Sequence, residues 1–156
     1  MSTRESDGIG QFVPTAARSV PVNPRRCQHS RHPSVSYARG PGIQGDEPEY
    51  LGHAVRLAEE LGADIVKTGY SGSAESFQHV CTSTSLPIVI AGGSRGTDAE
   101  TVEMVRGAMD AGGAGVSMGR SIFQHEDPEA ITRAVSAVIH DDADTETALD
   151  VAGLSG

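Results

Sequence analysis

Lysine is nearly absent from this chain: eleven of its twelve basic residues are arginine, and the twelfth is Lys67. Tryptophan is missing altogether, and aromatic residues make up 4% of the 156 positions. A basic surface interleaved with aromatics, the footprint of a nucleic-acid binder, cannot be built from this composition, and the net charge of -9 argues the same way. The two cysteines, Cys27 and Cys81, are isolated, so neither a disulfide framework nor a zinc site is indicated. No apolar run approaches the roughly 18 residues of a membrane-spanning helix, and the N-terminus has no apolar core of secretory type. What remains is an acidic chain expected in the cytoplasm, with neither nucleic acid nor membrane as partner and with length enough for one domain with a real core.

Acidic, salt-adapted proteins also exchange lysine for arginine, so scarcity alone does not mark Lys67 as chemical. Its position does more. It closes the apolar run Ala63-Asp64-Ile65-Val66 and is followed by Thr68-Gly69-Tyr70-Ser71-Gly72. An amine at a strand end can attack a carbonyl, whereas a guanidinium stays protonated and cannot.

Two unlike parts are expected. Residues 1–33, punctuated by Pro14, Pro21, Pro24 and Pro33, show no sustained period and read as a disordered arm. From Ser34 the chain alternates short apolar runs with helical patterns. Strands are expected at Ser34–Tyr37, Ala63–Thr68, Pro87–Ala91 and Ala114–Met118. The first helix has Asp46 and Glu49 spaced as a capping box, an apolar face of Leu51, Val55, Ala58 and Leu61, and Gly62 as its stop. The second starts near Ser73 and buries Phe77, Val80 and Cys81. In the third, Thr97 and Glu100 form a capping box ahead of Val102, Val105, Ala108 and Met109. The last has Asp127 as N-cap, Pro128 in its first turn, and Ile131, Ala134, Val135, Val138 and Ile139 as its stripe. After His140 an acidic tail is expected to fray, with a short turn at Thr145–Val151. The division is therefore 1–33 arm, 34–142 α/β domain and 143–156 tail. Four consecutive βα units are the signature of a parallel sheet with crossover helices.

In such folds functional residues gather at the carboxyl ends of the strands. All four ends here are polar or glycine-rich: Tyr37-Ala38-Arg39-Gly40, Lys67-Thr68, Gly92-Gly93-Ser94 and Gly119-Arg120. Gly92, Gly93 and Gly119 would let backbone N–H groups approach an anion closely, and Arg120 would add a charge-assisted contact. An amine must be uncharged to attack, and burial or a nearby cation favours the uncharged form. Arg39 and Arg120 are the candidate cations. His125, with Glu126 and Asp127, reads as a loop and helix cap, and no metal-ligand spacing is evident.

The stretches Tyr37-Ala38-Arg39-Gly40-Pro41-Gly42, Asp64-Ile65-Val66-Lys67-Thr68, Ile90-Ala91-Gly92-Gly93-Ser94 and Gly115-Val116-Ser117-Met118-Gly119-Arg120-Ser121-Ile122-Phe123-Gln124 resemble the archaeal-type class I fructose-bisphosphate aldolase family. The likeness runs from about Tyr37 to His140 and is nearest to a transaldolase-like branch of the family. It implies the C-terminal half of a (β/α)8 TIM barrel, about four βα units. It implies no cofactor and no metal, with Lys67 forming a Schiff base with a phosphorylated keto sugar and Tyr37 as proton donor. Gly92, Gly93, Gly119 and Arg120 would hold the phosphate, and Arg39 would contact substrate. In that branch the sugar is cleaved and the retained fragment is joined to an aldehyde acceptor such as aspartate semialdehyde, which opens a route to 3-dehydroquinate and aromatic amino acids. Plain fructose-bisphosphate aldolase activity and a non-catalytic phosphate-binding module are the alternatives.

The family's first four βα units, with the aspartate acid/base at the end of its first strand, have no counterpart here; Asp7 matches no family motif. A truncated chain with impaired catalysis is the expectation. A half barrel also exposes strand edges and apolar surface, so a homo-oligomer is expected.

Overall fold

The structure, a computed structural model, describes residues 12–14, 33–37, 45–93 and 96–154. Its sheet has five strands: β1 (Phe12–Pro14), β2 (Pro33–Val35), β3 (Ile65–Thr68), β4 (Ile88–Ala91) and β5 (Gly115–Ser117), in the order β1-β5-β4-β3-β2. β2 to β5 run parallel in chain order, and β1 pairs antiparallel with β5. Helices α1 (Pro48–Glu60), α2 (Ala74–Thr82) and α3 (Asp98–Asp110) make the crossovers, and α4 (Arg120–Phe123), α5 (Pro128–His140) and α6 (Thr145–Ala152) follow β5.

Residue parity assigns the two faces of the sheet. Val66, Ile88, Ile90 and Val116 join the core beneath the helices, together with Leu51 and Val55 of α1, Phe77 and Val80 of α2, Val102 and Val105 of α3 and Ile131 and Val138 of α5. The residues between them face the other way. Across the four parallel strands Val35, Lys67, Val89 and Gly115 stand in one row. One face is thus sealed by helices, and the opposite face carries the lysine.

Thr68 is the exception on the helix side. It is 0% exposed, and among the described residues its hydroxyl has no hydrogen-bond partner. Burying a hydroxyl unpaired costs on the order of 1–3 kcal/mol.

Three helix starts follow from local chemistry. Ser73 Oγ accepts from the N–H of Ser76, Thr97 and Glu100 bond reciprocally, and Asp127 Oδ1 accepts from Ala130. The first start differs from expectation. The N-cap of α1 is Glu47 with Pro48 behind it, and no side chain caps it, so Asp46 and Glu49 form no box. Leu61, expected on the buried face, is the C-cap and is 79% exposed, because the chain leaves the helix there and turns at Gly62 with φ 87°.

The segment after His140 does not fray. Asp144 caps α6 by accepting from Thr147, Gly153 ends it at φ 74°, and Ala148 and Ala152 are buried. Arg106 of α3 fixes its approach by pairing with Asp142 at 2.7 Å, while also bonding Asp110. Within the expected arm, residues 12–14 add a strand to the sheet.

Among the described residues no helix is long and apolar enough to cross a membrane. Cys27 lies outside the described residues. Burial pushes the Cys81 thiol up to about 11, which leaves it protonated and unreactive near neutral pH.

Candidate functional site

Lys67 stands on the sheet face opposite the helix-packed core, partly buried, in the row between Val35 of β2 and Val89 of β4. Valine neighbours on both sides follow from the β-branched character of these strands. The Lys67 carbonyl accepts from the N–H of Ser36 at 2.9 Å, which continues the β2–β3 ladder one residue past β2.

Tyr37 is the next residue, 41% exposed. It lies one strand over and two residues beyond the rung of Lys67, a backbone offset of roughly 5 Å across and 7 Å along. Tyrosine and lysine therefore reach the same end of the sheet. Arg39, expected beside them, lies outside the described residues.

The two glycine turns come together at the ends of β4 and β5. The Ser121 hydroxyl donates to the Gly92 carbonyl at 3.1 Å, and a Cβ on Gly92 would stand 2.7 Å from Ser121 Oγ and 3.3 Å from Met118 Cε. Gly92 is therefore required by close approach. Gly93 has φ 63°, a left-handed conformation that favours glycine. The Gly119 carbonyl accepts from Ile122 and Phe123, which folds the chain straight into α4, and Arg120 opens that helix with an exposed side chain.

Arg120 corrects one expectation. It follows β5, and β4 lies between β5 and the lysine strand. Two strand spacings put it roughly 10 Å across the sheet from the lysine strand, and it lies past the end of β5 at Ser117, beyond the Gly115 that shares the Lys67 row. It does not stand on a strand next to that of the amine. At the start of α3 the Thr97 and Glu100 side chains already engage each other's backbone N–H groups.

Three residues were not singled out by sequence. Ser121 joins the glycine turns, and its only signal was its place after Gly119-Arg120. Tyr70, from the loop after Lys67, turns away to α3. Its ring lies 5.3 Å from that of Phe77, and a Cβ on Gly107 would meet its hydroxyl at 2.2 Å. Burial first, then Asp110 and Glu103, hold the Tyr70 phenol above its ordinary 10.0. The third is Asp98, which bonds His125 across 27 residues. His125 was read as part of a loop and cap, which it is, but it also spans two loops. A groove of about 540 Å³ between α4, α5 and α6 is lined by Phe123, Arg133 and Val151 among others, and by none of the strand-end residues.

The family model for the DeoC/LacD family aldolase matches residues 26–125, which takes in every strand end described above. The chain belongs to that family. It is 60% identical over 121 residues to the 2-amino-3,7-dideoxy-D-threo-hept-6-ulosonate synthase of Halobacterium salinarum, covering 78% of this chain and 46% of the relative. It is 40% identical over 116 residues to a class 1 fructose-bisphosphate aldolase of the same species, covering 73% of this chain and 44% of that one. Among solved structures, an archaeal fructose-1,6-bisphosphate aldolase with its catalytic Lys covalently bound to the carbinolamine intermediate matches with a TM-score of 0.66 at 28% identity, over 69% of this chain and 44% of that one. This is a class I aldolase family, and the fold matches part of its barrel. The chain spans about half the length of the curated relatives it matches.

Proposed function

We propose that this DeoC/LacD-family chain carries the Schiff-base centre and phosphate-binding turns of a cytoplasmic transaldolase of the 2-amino-3,7-dideoxy-D-threo-hept-6-ulosonate synthase type. The observation that carries the reading is the row Val35–Lys67–Val89, with the sequence's single lysine on the face opposite the helix-packed core, in the sheet whose β4 and β5 ends Ser121 joins. The covalently bound lysine of the archaeal aldolase and the likeness to the halobacterial synthase support it.

In this reading the uncharged amine of Lys67 adds to the keto carbon of a phosphorylated sugar, and loss of water leaves a protonated imine. The imine draws the electron pair of the adjacent C–C bond as it breaks, so an aldehyde leaves and an enamine remains. The enamine then attacks an aldehyde acceptor such as aspartate semialdehyde, and water releases the amine. Tyr37 relays the proton that the substrate hydroxyl gives up on cleavage to the alkoxide formed on condensation. Gly92, Gly93, Gly119 and Arg120 hold the phosphate. Arg39 contacts substrate.

By the family resemblance, the aspartate acid/base belongs to the half of the barrel outside these 156 residues. Imine formation at Lys67 is the step assigned to the residues of this chain. Product analysis separates the two specificities: a condensed product with aspartate semialdehyde supports the synthase reading, and cleavage of fructose 1,6-bisphosphate alone supports the aldolase. Arg120→Ala should weaken inorganic phosphate binding about tenfold or more, since a charge-assisted hydrogen bond is worth roughly 1.5–3 kcal/mol. An unchanged affinity by calorimetry would remove Arg120 from the site.

Self-association belongs to the same proposal. Among the described residues β2 pairs only with β3, and Val35, Leu57, Leu61, Phe123 and Val151 are each more than half exposed. Such an edge and such surface favour a second copy. Light scattering behind a sizing column should give at least twice the 16.2 kDa of one chain; a sharp single-chain mass would contradict it.

A further inference from the structure

The phosphate-binding reading leaves one structural question: what holds two separate glycine turns at the spacing one anion requires? The turn after β4 runs into α3, and the turn after β5 runs through α4 into the bend before α5. Ser121 to Gly92 is one link. The other is a histidine. His125 Nε2 lies 2.8 Å from Oδ1 of Asp98, the first residue of α3, and the His125 side chain is 15% exposed. Its own N–H bonds the Ile122 carbonyl at 3.1 Å, closing the short helix that Gly119 and Arg120 open.

From this geometry we infer that His125 and Asp98 are a positioning pair, fixing the Gly119–Arg120 turn against the Gly92–Gly93 turn so that both meet one phosphate-like anion. The inference rests on the phosphate-binding reading above. It assigns the pair no contact with substrate.

The ring is held at both nitrogens. Nδ1 lies 2.9 Å from the N–H of Asp127 and 2.7 Å from its carbonyl oxygen. A neutral imidazole donates from one nitrogen and accepts at the other. With Nδ1 accepting from the Asp127 N–H, the proton sits on Nε2 and is donated to Asp98. A protonated ring keeps the Asp98 bond, now between opposite charges, and turns Nδ1 into a donor to the Asp127 carbonyl. The link persists in both charge states and is stronger in the charged one.

The charged groups acting on the ring are Asp98 from α3 and Asp127 at the N-cap of α5. Burial by itself would lower the His125 pKa. The bonds to Asp98 and the Asp127 carbonyl, with the charge of both carboxylates, outweigh burial and raise it above 6.5. The added strength is thus fully present below pH 6.5 and is lost as pH rises through the raised value.

The test is sulfate binding to the full chain at pH 6 and pH 8, because sulfate keeps its charge across that range and inorganic phosphate does not. Removing Asp98 separates positioning from simple electrostatics. Asp98→Ala deletes a negative charge near an anion, which by charge alone would tighten binding. The positioning role predicts a loss of about fivefold or more at both pH values. His125→Ala should weaken sulfate by about tenfold. His125→Gln, whose amide can still donate to Asp98 but cannot become charged, should stay within about threefold of the unaltered chain at pH 8 and lose the tightening at pH 6.

Tighter binding by Asp98→Ala, or unchanged binding by His125→Ala, overturns the inference. If His125→Ala fails to fold, His125→Gln decides: pH dependence equal to that of the unaltered chain is fatal, and its loss is support. If the unaltered chain binds neither sulfate nor phosphate, the phosphate reading has failed. The pair is then judged without ligand, by whether the Gly92 and Gly119 amide resonances follow His125 titration in the unaltered chain and stop in Asp98→Ala.

Discussion

Borohydride added with a ketose phosphate leaves a reduced adduct on Lys67, and Lys67→Met and Lys67→Arg leave none. The expectation is unusually clean because no other lysine exists in the sequence. The α-amino group is the remaining amine, and peptide mapping distinguishes the two positions. Arginine at position 67 retains the positive charge but stays protonated, so it cannot add to a carbonyl. Methionine retains an unbranched stem between Val35 and Val89 and should leave the fold intact. Any C–C bond chemistry that the chain performs should fall on the order of a thousandfold or more in either variant, as it does when a covalent nucleophile is removed. An adduct surviving in Lys67→Met, or absent from the unaltered chain with every ketose phosphate tried, would end the Schiff-base reading. If affinity for phosphate is also untouched by Lys67→Met, the non-catalytic binding module becomes the better account.

Phe77→Ala should be the most damaging single truncation in the core. Phe77 is 0% exposed, stacks at a tilt on Tyr70 with ring centroids 5.3 Å apart, and stands 3.8 Å from where a Cβ on Gly113 would be. It joins α2 to the loop after the lysine strand and to the turn before β5. Removing a buried phenylalanine ring typically costs about 3–5 kcal/mol in lost transfer energy plus cavity. A domain holds only about 5–15 kcal/mol in all. Urea unfolding should show a lower midpoint with an unchanged slope, and Phe77→Leu should recover most of the loss. A cost below about 1 kcal/mol would show that the ring is not part of the packed core. Because Tyr70 rests on this ring and over Gly107, the variant should also loosen the Thr68–Gly72 loop, so imine trapping at Lys67 is the useful second readout.

Local features were legible. The pairing of Thr97 with Glu100, the cap by Ser73 and the cap by Asp127 each span three residues, and a backbone N–H can find such a partner without help from the rest of the chain. The expected capping box at Asp46 and Glu49 failed for a related reason. Pro48 fixes the first helical turn, which makes Glu47 the N-cap and removes the spacing the box requires. α6 was underestimated because a short, acidic segment has little drive to fold by itself. Its order comes from Ala148 and Ala152 entering the core and from Arg106 holding Asp142 across 36 residues.

The site divides along the same line. That Lys67, Gly92-Gly93 and Gly119-Arg120 end successive strands could be read from apolar runs and glycines, because strand length and alternation are properties of neighbouring residues. Which strand ends are adjacent could not. Sheet order puts β4 between the lysine and Arg120, and contacts across 29 and 27 residues, Ser121 on the Gly92 carbonyl and His125 on Asp98, bind the two turns together. The sequence by itself therefore determined the succession of βα units and the residue types at their mouths, since backbone propensity and side-chain period act over a few residues. The tertiary structure alone decided which face Lys67 takes, how far Arg120 stands from it and what ties the turns, because those depend on contacts between segments that are distant along the chain.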